Sequence, residues 1–117
     1  MRALLLAIVV VLGSVGPAHG HARLVRSEPT NGAVVESAQK LVLEFDAPVE
    51  RRFSTFVLEQ VGGTSRTLAV EGTGVTTRIE LAVGSLPSGQ HRLRWSVVSG
   101  DGHRIKGTVA FAVGPAR

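Results

Sequence analysis

The sequence predicts an all-β protein: a single immunoglobulin-like or Greek-key β-sandwich (cupredoxin-like barrel) of about seven strands. Three observations carry that prediction. Apolar residues beyond position 20 recur with a period of two, the repeat of a half-buried strand. The segments between them are punctuated by Gly, Pro, Asn and Ser, and the chain holds 14 Gly and 5 Pro. Its 117 residues suffice for one small domain and exclude a second. No long helical periodicity and no internal repeat interrupts the pattern.

The first 20 residues read as a cleaved secretory signal. Arg2 supplies the positive start, and Ala3 to Leu12 form an apolar stretch ended by Gly13, Gly16 and Pro17. That stretch stops after ten residues, whereas a membrane-spanning helix needs roughly 20. Ala18-His19-Gly20 puts small residues at the third and first positions before a cut, which leaves His21 as the new amino terminus and residues 21–117 as the mature domain. A cut after Ala18 fits the same rule and leaves His19-Gly20-His21 in front. Export makes the periplasm, or another exported location, the expected destination.

The strand elements follow in order. Arg23 to Val25 form a short edge strand, and Pro29-Thr30-Asn31-Gly32 carries a proline and an Asn-Gly turn signal. Leu41, Leu43 and Phe45 share one face of a strand expected to end near Asp46-Ala47-Pro48. Phe56 and Leu58 mark the next strand, closed by Gly62-Gly63, and Ile79, Leu81 and Val83 continue the alternation. The clearest strand runs from Gln90 to Val98, with His91, Leu93, Trp95 and Val97 on one face and Arg92, Arg94 and Ser96 on the other. The last spans Lys106 to Val113, with Val109, Phe111 and Val113 inward. Trp95 reads as a core aromatic and His91 as a packed residue on the same apolar face. A lone Glu28 reads as solvent-exposed.

Composition narrows the chemistry. With no cysteine, the domain has no disulfide, no nucleophilic thiolate and no thiolate ligand. Its single methionine is Met1, which leaves with the signal, so no thioether remains for Cu(I). Residues 21–117 keep twelve Lys and Arg against nine Asp and Glu, a net charge of +3. Those charges are scattered and few aromatics accompany them, which argues against nucleic-acid binding.

Between the last two strands lies Ser99-Gly100-Asp101-Gly102-His103. In an extended segment, a spacing of two points Asp101 and His103 the same way, so a carboxylate oxygen and an imidazole nitrogen can meet one ion. Asp-Gly between alternating strands is equally a hairpin signal that needs no metal. An N-terminal His21 adds two further nitrogens, its α-amine and its imidazole. Three nitrogens and one oxygen form a tetragonal set that suits Cu(II). If the cut follows Ala18, the amine and His21 can instead wrap the ion with backbone nitrogens, and Asp101 and His103 become dispensable.

These residues carry a resemblance. His21-Ala22-Arg23-Leu24-Val25, the Pro29 to Gly32 turn, and Trp95-Ser96-Val97-Val98-Ser99-Gly100-Asp101-Gly102-His103 with Gly107 resemble the CopC family of periplasmic copper-binding proteins. The resemblance spans nearly all of the mature chain and also favours cleavage before His21. It implies one Cu(II) per chain, held by His21, Asp101 and His103, in a protein that sequesters or carries copper in homeostasis or resistance, without catalysis. A CopD-type inner-membrane protein is the implied partner. The methionine-rich Cu(I) segment of longer-known members is absent, which points to the Cu(II)-only type. Two other classes remain as alternatives: an N-terminal-histidine copper monooxygenase acting on polysaccharide, and a metal-free interaction module on the same fold.

Overall fold

A computed structural model describes residues 22–114. Seven strands follow one another: β1 (Leu24–Glu28), β2 (Ala33–Val35), β3 (Lys40–Gln60), β4 (Ser65–Thr67), β5 (Val75–Ala82), β6 (Gly89–Ser99) and β7 (Arg104–Val113). Among the described residues no helix is long and apolar enough to cross a membrane. The architecture is the all-β sandwich that the alternation predicts.

The long strand β3 belongs to both layers. Its first part, Lys40 to Glu44, pairs antiparallel with β5, and its residues Val42 to Phe45 pair with β1 on the opposite edge. Its last part, Thr55 to Gln60, pairs with β6, while Val57 to Glu59 pair with β4. The second layer continues through β7 to β2, which runs parallel to β7. Between the two parts the register of β3 shifts, from Glu44 to Val49 against β5 and from Glu50 to Thr55 against β6. Switching a strand from one sheet to the other by such an irregularity closes the sandwich at that corner.

This corrects the sequence expectation of a strand end at Asp46-Ala47-Pro48, with Phe56 and Leu58 on the next strand. Both apolar runs lie on the single strand β3. Pro48 falls where the register shifts, a position at which its missing N–H costs no ladder bond.

Leu41, Leu43 and Phe45 from one layer meet Phe56, Leu58, Leu93, Val97 and Phe111 from the other in one buried cluster. Each such side chain contributes about 1.5–3 kcal/mol by leaving water. Phe45 and Trp95 join the layers edge to face, with ring centroids 5.4 Å apart. Trp95 lies against Gly107 on the neighbouring strand, where an added Cβ would stand 2.3 Å from the indole Cζ2. Only glycine fits beneath the indole.

The predicted turn at Pro29 to Gly32 is present, and it grips β7. Asn31 Oδ1 accepts from the Ala110 amide at 2.8 Å, and the Gly32 amide donates to the Ala110 carbonyl at 2.7 Å. Gly32 sits at φ +85°, a backbone state that glycine takes without strain.

Candidate metal centre

Strand β6 ends at Ser99 and β7 begins at Arg104, and the four residues between them form a tight turn. The Ser99 amide donates to the His103 carbonyl at 2.9 Å, and the Gly102 amide donates to the Ser99 carbonyl at 2.9 Å. Gly102 takes φ +89°, which closes the turn. Asp101 and His103 therefore meet through a turn and not through the extended spacing expected from sequence. Asp101 Oδ1 accepts from the His103 amide at 3.2 Å, the self-bonding habit of aspartate in turns.

The other carboxylate oxygen, Oδ2, lies 2.6 Å from His103 Nδ1. Ser99, buried at the end of the inward face of β6, donates its hydroxyl to Asp101 Oδ1. The Ser99 hydroxyl, then the His103 ring, hold the Asp101 carboxyl well below the usual carboxylate range. An ionised carboxylate only accepts, so Nδ1 carries the ring proton in this arrangement. The pair is close enough for one cation to take both groups in place of that proton. His103 is 64% exposed, so an ion can reach it from solvent.

The first of the described residues reach the same corner. Ala22 is fully buried, the Arg23 amide donates to Asp46 Oδ1 at 2.7 Å, and the Asp46 amide donates to the Arg23 carbonyl at 3.0 Å. Two residues further along β3, the Pro48 carbonyl accepts from the Gly100 amide of the turn at 3.2 Å. The segment that begins at Ala22 and the turn that carries Asp101 and His103 are thus both fastened to Asp46-Ala47-Pro48. His21, the signal at residues 1–20 and both cleavage positions lie outside the described residues. Among the described residues no group of three or more His, Asp or Glu gathers to hold a metal.

His91 and Glu28 stand elsewhere. His91 is buried at the opposite end of β6, 2.8 Å from the Pro87 carbonyl through Nε2 and stacked on Phe111. Glu28 is exposed and pairs with Val42, at the end of β1 away from the corner. Both match their sequence readings. The sequence reading gave no role to Ser99 or Asp46. Ser99 had a visible signal, because it continues the buried period-two face of β6 and a serine there needs a partner. Asp46 had none, because its bond to Arg23 depends on the register of β1 against β3.

A family profile described as the CopC domain matches residues 24–114. The chain belongs to the CopC family. Two curated relatives carry names that refer to copper. The Copper transport protein CutJ of Bacillus subtilis (strain 168) is 31% identical over 101 residues, which cover 82% of this chain. This chain spans only 18% of that longer protein. The Copper resistance protein C of Pseudomonas syringae pv. tomato is 30% identical over 104 residues, covering 82% of each chain. Among solved structures, CopC from Methylosinus trichosporium OB3b superposes with a TM-score of 0.74 at 25% identity, covering 83% of this chain and 97% of that one. PcoC from Escherichia coli, described as a methionine-rich copper resistance protein, gives 0.67 at 26% identity, covering 80% and 98%.

Proposed function

We propose that the protein, exported and trimmed after Gly20, is a periplasmic Cu(II)-binding protein that sequesters or carries copper in homeostasis or resistance. One ion is held by the amine and imidazole of His21, the imidazole of His103 and the carboxylate of Asp101. The observation that carries this reading is the convergence at Asp46-Ala47-Pro48. Arg23, two residues after His21, is hydrogen-bonded to Asp46, and Gly100 of the Asp-Gly-His turn is hydrogen-bonded to Pro48. The copper transport and copper resistance names of the relatives point the same way. So does the Cu(II)-only type, because residues 21–117 contain neither cysteine nor methionine. Four protein donors leave little room for a substrate, which favours a carrier over an enzyme. A CopD-type membrane protein is the partner that family membership suggests.

Protons compete for the ligand nitrogens, starting with the α-amine, whose ordinary pKa is about 7.7–8.0. Asp101 stays ionised far into acid, so the nitrogens set the loss of affinity as pH falls below neutral. Affinity unchanged from neutrality to about pH 4 would contradict the ligand set. The direct test is isothermal titration with Cu(II) of the chain beginning at His21 and of the chain beginning at Ala22. The first is expected to bind one equivalent tightly and the second to lose that site; equal affinity in the two sinks the proposal.

A further inference from the structure

The two outer faces of the sandwich carry cations in different ways. On the β1–β3–β5 face, Arg26, Lys40 and Arg78 are each paired with Glu44 or Glu80, with separations of 2.9 to 3.8 Å. On the β3–β6–β7 face, Arg92, Arg94, Arg104 and Lys106 stand against Glu59 and Glu50, the latter in the row of Val98 and Arg104. Arg92 and Arg94 share Glu59 at 3.7 and 3.6 Å, while Arg104 and Lys106 have no carboxylate within ion-pair distance among the described residues. Arg104 is fixed by neutral groups instead, donating to Ser96 Oγ at 2.6 Å and to the Phe53 carbonyl at 3.1 Å.

Register lines these groups up in rows across three strands. Thr55 faces Ser96, which faces Lys106, and Val57 faces Arg94, which faces Thr108. Thr55, Val57, Arg94 and Ser96 alternate with buried neighbours and so project outward, and Lys106 and Thr108 are exposed beside them. Between the rows lies an open groove of about 710 Å³, edged by Arg94, Arg104 and Lys106 and supplied with the hydroxyls of Thr55, Ser96 and Thr108. The groove begins at Arg104, the residue that follows His103.

We infer that this groove is the docking site for an acidic segment of a partner protein that exchanges copper with the adjacent turn. The copper part of that statement rests on the proposed function; the docking part rests on charge and shape. Guanidinium and ammonium groups in excess of carboxylates, beside hydroxyls, complement an acidic chain. Charges set in rows across neighbouring strands suit an extended acidic chain. Contacts of this kind set association rate and orientation more than affinity, as an exchange partner that must also leave requires.

The test uses the chain beginning at His21, labelled with nitrogen-15, and a hexaglutamate peptide as probe. Amide shifts confined to Thr55, Arg94, Ser96, Lys106 and Thr108, weakening with added salt, are the expected result. The double variant R94E/K106E is expected to lose at least about tenfold in peptide affinity while keeping its Cu(II) titration. Shifts centred on the β1–β3–β5 face, no binding, or a variant that binds as well as the parent would overturn the docking site. Inorganic phosphate matching the peptide, or phosphatidylglycerol vesicles binding more tightly than it, would overturn the choice of a protein segment. A chain that binds the peptide in the groove but fails to take up Cu(II) refutes the copper reading alone.

Discussion

The two histidines of the described domain, placed near opposite ends of the β6–β7 pair, show how the same side chain is committed to packing at one end and left open to solvent at the other. His91 is 2% exposed, stacked on Phe111 and fixed to the Pro87 carbonyl, so both its ring face and one ring nitrogen are committed to packing. His103 stands in a turn, exposed, beside an ionised carboxylate and next to the corner where the amino-terminal segment is fastened. Burial makes a histidine a structural element. Exposure beside a carboxylate leaves His103 open to an ion from solvent.

The comparison is broken most forcefully by exchanging the two roles. His103→Ala is expected to weaken Cu(II) binding by about 10³-fold, about 4 kcal/mol, with metal-free stability changed by less than about 0.5 kcal/mol. His91→Ala is expected to do the reverse. It opens a cavity and orphans the Pro87 carbonyl, costing about 3 kcal/mol in urea unfolding and leaving copper affinity within about twofold. Copper loss in the His91 variant with a stable fold would mean that the wrong histidine has been assigned. The same pair of titrations decides between the cleavage positions, because a chain beginning at His19 would keep copper without His103.

A smaller effect sharpens the line between packing and site. Gly107→Ala drives a methyl group into Trp95 and is expected to destabilise the domain by about 2 kcal/mol, read as a lowered thermal midpoint. Copper affinity should not move. Smallest is Ser99→Ala, which removes the hydroxyl that steadies Asp101 and is expected to cost about tenfold in copper affinity. The sign of the acid dependence follows from the same bonds. The folded-state pKa of Asp101 is depressed, so its stabilising interactions are complete above the ordinary carboxylate range and vanish as pH falls through the lowered value. Asp101→Asn should therefore be less stable than the parent at neutral pH, with the gap closing only in strong acid.

Much of the fold was legible because side-chain alternation is a local property. His91, Leu93, Trp95 and Val97 could be assigned inward and Arg92 and Arg94 outward from period two alone, and the structure agrees. Strand β3 was divided in error because Asp46-Ala47-Pro48 has the composition of a turn. A proline at a register shift, however, leaves a strand continuous. Strands β2 and β4 span three residues each, too short for alternation to register. In the site, Asp101 and His103 were legible as a motif, although a turn and not strand geometry brings them together. The anchors were not, since Arg23 to Asp46 and Gly100 to Pro48 are bonds between residues far apart in sequence.

The central claim is that the trimmed amino terminus and the Asp-Gly-His turn share one cupric ion. Electron paramagnetic resonance of the Cu(II) complex of the chain beginning at His21 measures this by counting nitrogen ligands. Three are expected for the parent and two for His103→Ala. A parent spectrum that His103→Ala and Asp101→Ala both leave unchanged would place the ion on the amino-terminal residues alone and contradict the account.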